Sequence, residues 1–223
     1  MFGHAADQPV VRRTNFWGPL QIEKSGSQTA VRGQAEENGD YWFETTFGGK
    51  RQRLAVRGIP DFLRIDGPWS LTLGAAAPIT LAALRSWNEL PEGKTFSGWA
   101  TYETTFEVAE VGANSEWLID LGEVHETAEA ELNGVALGAA WKGARRLACG
   151  GELKAGQNRL TVRVANLWIH HMRSLPPPDV SAVAETYGIR WGRYEGTGPA
   201  KLPPSGLLGP VRLFARKPWT FKV

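Results

Sequence analysis

The chain has 223 residues, 42% hydrophobic and 22% charged, with a formal net charge of +2. That length suits one large all-β domain or a domain with an appendage, and it is enough to bury a sizeable core. Its charges of both signs are interspersed, which argues against nucleic acid as a partner, and no apolar run approaches the roughly 18 residues that would span a membrane.

The first ten residues, Met1 to Val10, lack the basic start and apolar stretch of a signal peptide, so none is expected in this chain. Residues 1–50 read as an irregular lead-in with turn signals at Gly18-Pro19, Ser25-Gly26 and Asn38-Gly39. Asp40 to Phe47, Gly48-Gly49 and Arg51 to Val56 predict a hairpin, with Tyr41, Phe43 and Thr45 on one face. Residues 1–60 are therefore expected to form an N-terminal extension with a β-hairpin, packed on a sandwich built from residues 61–223. Trp69, Leu71 and Leu73 open that sandwich on one side of a strand. Over Gly98 to Val108 the even positions Ala100, Tyr102, Phe106 and Val108 are apolar, whereas Glu103 and Glu107 fall on the odd face. That alternation marks a strand with one buried and one wet face. Trp99 lies on the wet face, where burial does not account for it.

Trp117, Ile119 and Leu121 give a further inward set. Ala128, Ala130 and Leu132 run into Asn133-Gly134, both of which accept the positive φ of a two-residue hairpin turn. Leu160, Val162 and Val164 point inward from the next strand, and Gly209 to Leu213 supply a closing one. Between them, residues 169–205 form a long connection rich in prolines and aromatics, with at most a short helix. The prediction is all-β: an antiparallel jelly-roll β-sandwich with an N-terminal hairpin extension and one long loop.

Ten tryptophans are the compositional outlier. Trp is awkward core filler because its N–H needs a partner, so about half are expected in the core and the rest at a surface. Trp141, Trp168 and Trp191 fall in loops or at strand ends, beside Lys142, His170 and Arg193. Such aromatic-plus-cation pairs suit sugars, whose C–H faces stack on rings while hydroxyls take hydrogen bonds. These six residues and Trp99 are the candidate ligand contacts, against the alternative that the tryptophans cap the core. The adjacent His170-His171, read as extended, would point to opposite faces, and no metal ligand stands at a suitable spacing. Glycoside hydrolysis needs two carboxylates roughly 5 to 10 Å apart. Glu103, Glu107, Glu129 and Glu131 are outward strand residues better explained by cross-strand pairing with residues such as Arg163. Glu185 and Glu195, in the aromatic loop, are the alternatives if the chain is catalytic. The single cysteine, Cys149, excludes an intrachain disulfide.

Ser97 to Tyr102 with Phe106, Leu121-Gly122-Glu123-Val124, Leu132-Asn133-Gly134 and Leu137-Gly138 with Trp141 together resemble the galactose-binding-like jelly roll of large glycoside hydrolases. Leu153 to Leu160, Val164 to Trp168 and Ser205 to Val211 extend the likeness. The order is most similar to the C-terminal portion of bacterial α-L-rhamnosidases of glycoside hydrolase family 106, and it also resembles sugar-binding domains of the β-galactosidase family. After Trp168 the chain departs from that pattern. The resemblance implies a non-catalytic module that binds glycan, rhamnose-containing glycan included, or completes the cleft of a separate catalytic barrel domain in a periplasmic or secreted parent. It also allows a structural calcium, with no ligands assigned. Two rival readings stand beside it: a compact glycosidase or polysaccharide lyase, and a structural module that only packs between domains.

Overall fold

The computed structural model describes residues 10–25, 28–46, 51–112, 114–141, 145–175 and 202–223. Strands are numbered in chain order. β7 (Trp69–Leu73), β8 (Ile79–Leu81), β9 (Trp99–Val108), β12 (Thr127–Leu132), β13 (Val135–Ala140) and β15 (Gly156–Ala165) form one antiparallel sheet in the order β13-β12-β15-β9-β7-β8. The second sheet runs through β14 (Arg146–Ala148), β10 (Glu116–Asp120), β17 (Arg212–Lys222), β3 (Gln28–Ala35) and β2 (Gln21–Ser25), with β6 (Leu63–Arg64) also on β17. A three-stranded sheet pairs β1 (Val11–Thr14) and β5 (Arg51–Val56) on either side of β4 (Gly39–Thr45), and β11 (Glu123–His125) pairs with β16 (Gly206–Gly209). One helical turn, α1 (Ile169–Met172), follows β15. The protein is an all-β antiparallel sandwich of jelly-roll type.

Side-chain parity explains the layers. Along β9 burial alternates strictly, with Ala100, Tyr102 and Phe106 inside. Leu160, Val162 and Val164 of β15 and Ala128, Ala130 and Leu132 of β12 point the same way. From the opposite sheet Trp117, Ile119, Leu213 and Ala215 meet them in one continuous core. Asn133 (φ 54°) and Gly134 (φ 85°) make the tight turn between β12 and β13 that their sequence demands. One pair of buried polar side chains, Tyr102 and Trp87, is matched at the centre. Tyr102 Oη accepts from Trp87 Nε1 (2.5 Å) and from the Leu207 amide (3.0 Å), and burial pushes its phenol up to about 12. Gly206 passes over this pair, where a Cβ would sit 2.3 Å from Trp87 Nε1.

Three sequence expectations change. Residues 11–35 are not an irregular lead-in; they carry three strands, of which β3 joins the second sheet beside β17. Its burial does not alternate, because Gly33 lies flat against the Trp219 ring, where a Cβ would come within 2.3 Å. The closing segment is two strands, β16 and β17, separated by Pro210 and Val211, and β17 continues to Lys222. Its first half pairs with β10 and its second with β3, so the N-terminal strands and the sandwich share one strand. Phe16, Phe43 and Trp219 interlock there with ring centroids 4.9 to 5.9 Å apart. Finally, His170 and His171 are helical rather than extended.

Candidate functional site

The surface features converge at one end of the first sheet, where β9 and β12 begin and β13 and β15 end. Asn166, just past β15, fixes this rim. Its Oδ1 accepts from the Gly98 amide (3.0 Å), and its Nδ2 donates to Phe96 O and Ser205 Oγ, both at 2.8 Å. Ser97 adds a second tie: its hydroxyl donates to Leu167 O (3.0 Å) and accepts from the His171 amide (2.9 Å). These bonds hold Leu167, Trp168 and α1 against the start of β9. Trp168 stays 61% exposed, its ring 4.7 Å from that of His171.

Register places a second group of residues beside it. Trp99 is opposite Ala165, and Ala165 is opposite Thr127. Ala128 is opposite Ala140, so Trp141, one residue on, continues the same outward row on the far side of Thr127. The row thus reads Trp141, Thr127, Ala165, Trp99: two exposed indoles with two small side chains between them. Three strand spacings separate its ends, about 14 Å. Trp141 is 74% exposed and Trp99 41%. In the neighbouring row Arg163 lays its guanidinium over the Trp99 ring (4.9 Å to the centroid) and donates to Glu129 (3.0 Å). Trp99 is thereby fixed in orientation without being covered.

Of the sequence-predicted contacts, Trp99, Trp141 and Trp168 lie at this end and are exposed. His170 does not present itself to a ligand: it is fully buried, and neither ring nitrogen has a hydrogen-bond partner among the described residues. The helical turn of α1 directs it inward, and desolvation holds its pKa below the ordinary imidazole value. Lys142, Trp191, Arg193, Glu185 and Glu195 lie outside the described residues. The outward strand acids are paired as cross-strand chemistry predicts, Glu129 with Arg163 and Glu103 with Arg159. The Arg216 guanidinium on Glu116 holds that carboxyl below its usual range. Among the described residues no three His, Cys, Asp or Glu side chains group as a metal site requires, so the calcium allowed by the resemblance finds no carboxylate cluster there.

Sequence reasoning missed Trp17, which is 95% exposed in the loop after β1. The loop is pinned by Asn15, whose side chain donates to Asp40 O (3.1 Å) and accepts from the Trp42 amide (2.8 Å). The Gly18-Pro19 turn was the only signal nearby. It also missed Asn166 and Ser97 as the residues that set the rim; an Asn directly after an alternating strand was the available hint.

No family model matches the chain. A putative beta-glucuronidase of Formosa agariphila is 30% identical over 194 residues, a match that takes in 74% of this chain and 16% of that protein. Among solved structures, the rhamnosidase from Novosphingobium sp. PP1Y superposes with a TM-score of 0.57 at 24% identity, covering 91% of this chain and 25% of that one. The fold is that of a segment of large glycosidases. A beta-glucuronidase from an uncultured Clostridium sp. shares it too, with a TM-score of 0.51, 19% identity and cover of 70% of this chain and 29% of that one. The chain thus spans about a sixth of the length of its curated relative. No helix among the described residues is long and apolar enough to cross a membrane.

Proposed function

We propose that this chain is a carbohydrate-associated, non-catalytic β-sandwich module of a larger glycoside hydrolase of α-L-rhamnosidase type, and that it binds glycan at the rim bearing Trp99, Trp141 and Trp168. The observation that carries the reading is the row of two exposed indoles flanking Thr127 and Ala165, with Trp168 on the same rim. Exposed aromatic rings beside small residues make a shallow apolar platform, and rigid placement lowers the entropy lost on binding. The likeness to segments of a rhamnosidase and of beta-glucuronidases supports the carbohydrate class. The parent would carry its catalytic acids in a separate barrel domain and would work in the periplasm or outside the cell.

The reading predicts that the isolated chain binds oligosaccharides on a glycan array and in calorimetry, and that it releases no reducing or unsaturated sugar from them. Trp141→Ala and Trp99→Ala should each weaken binding about tenfold or more, as loss of an aromatic anchor usually does. Flat titrations across plant and bacterial glycans, L-rhamnosides included, would remove the binding role. Turnover that vanishes in Glu195→Gln would instead establish the catalytic alternative.

A further inference from the structure

The row from Trp141 to Trp99 is longer than one sugar, and it carries an exposed indole at each end. Three strand spacings, about 14 Å, separate the two, wider than any single pyranose ring. Between them Thr127 and Ala165 are short and half-buried, so no side chain rises to divide the row into two compartments. Nor does one close it beyond Trp99. There Gly74, whose amide donates to Trp99 O (3.1 Å), takes the next place across the sheet, and it is exposed.

A second row runs parallel to the first, two residues away along each strand. Register sets Glu129, Arg163, Thr101 and Thr72 side by side on the same outer face. Glu129 and Arg163 bond to each other (3.0 Å) while each keeps nearly half of its side chain in water. The pair offers donors and acceptors without net charge. The hydroxyls of Thr101 and Thr72, and of Thr127 between the indoles, have no hydrogen-bond partner among the described residues. A hydroxyl both donates and accepts, so this uncharged row complements the hydroxyls of a sugar chain along its whole length.

We infer that this face takes an internal stretch of a linear glycan, laid across the strands. Its sugars stack on Trp141 and Trp99 at once and turn hydroxyls toward the row from Glu129 to Thr72. This rests on the glycan-binding reading and narrows it to chain rather than chain end. A terminal sugar needs one indole and a wall to stop against, whereas this row has two indoles and no wall at Gly74. Two contacts on one chain reinforce each other through effective concentration, so neither has to be strong alone.

The test is calorimetry of the full chain against oligosaccharide ladders cut from rhamnogalacturonan, xylan and galactan, each from the monosaccharide upward. In at least one ladder affinity should rise about tenfold or more with length, then level off once the oligomer spans both indoles. Oligomers of that length blocked at both ends with a bulky tag should bind as well as open ones. Trp99→Ala or Trp141→Ala should return the long oligomers to near the affinity of the short ones. Thr127→Lys keeps both indoles and puts a long side chain between them, and it should do the same. Ala165→Lys is a second version of that block, and melting curves accompany every variant. Three results each overturn the internal-chain assignment and leave the glycan reading intact: a monosaccharide that binds as tightly as the longest oligomer, loss of binding on end-blocking, or undiminished length dependence in a folded lysine variant. Absence of binding to every ladder overturns both. If both lysine variants are unfolded, the ladders and the end-blocked oligomers decide.

Discussion

An indole left in water forgoes the transfer free energy that Trp69 and Trp87 gain in the core, of the order of 2 to 3 kcal/mol for a large side chain. Of the nine described tryptophans, Trp69, Trp87, Trp117 and Trp219 are buried and Trp17, Trp99, Trp141 and Trp168 are exposed. The even split is what the composition led one to expect, and parity alone put Trp99 on the wet face. What could not be seen was His170. A histidine next to a histidine carries no period, and a four-residue helix leaves no pattern to read. Its burial has a testable consequence. Burial lowers its pKa from the ordinary 6.5, so the unfolded chain takes up the proton first. This contribution is neutral above about pH 6.5 and becomes a loss of stability as the pH falls below it. Urea midpoints measured at pH 7.5 and 5.5 should show that loss, and His170→Gln should reduce the difference between them. Tyr102→Phe tests the core pair: it strips the acceptor from Trp87 Nε1 and Leu207 N. The expected cost is about 1 to 3 kcal/mol in denaturant unfolding, with an unchanged slope.

At the scale of elements, legibility followed side-chain contrast. β9 and β15 were readable because inward apolar and outward polar residues alternate along most of each. The β12–β13 hairpin was readable from Asn133-Gly134. β3 was not, since Ala30, Gly33 and Ala35 offer little contrast and Gly33 serves a ring-packing role set by distant Trp219. The second half of β17 was also missed, because Lys217-Pro218 looks like an ending. Proline fits there because Pro218 lies opposite Gln34 in a strand that can spare one donor. Close approach of backbone to ring makes Gly33 and Gly206 strict requirements. Gly206 also has φ 96°, a region that favours glycine. Gly206→Ala should destabilise by about 3 kcal/mol or more, or give insoluble protein, read by soluble yield and thermal melting. Gly138, also at positive φ but with open space around it, should tolerate alanine at lower cost.

Over the whole molecule, the decisive member is β17. It borders β10 along Arg212 to Arg216 and β3 along Lys217 to Lys222, with Arg216 bonded to Glu116 at the junction. The aromatic cluster of Phe16, Phe43 and Trp219 couples the three-stranded sheet to the same strand. A shared strand predicts a single cooperative transition, in which tryptophan fluorescence and far-ultraviolet circular dichroism change together. Two separate transitions would show that the N-terminal strands unfold on their own.

That arrangement also orders events in time. β3 pairs residue 35 with residue 217, so the β2–β3 ribbon exists as chain long before its neighbour does. On the ribosome it must wait, with Val31 and one bare strand edge uncovered, until residues 217–222 have emerged. Folding is accordingly governed by long-range closure and should be slow, and the nascent protein is most open to aggregation in that interval.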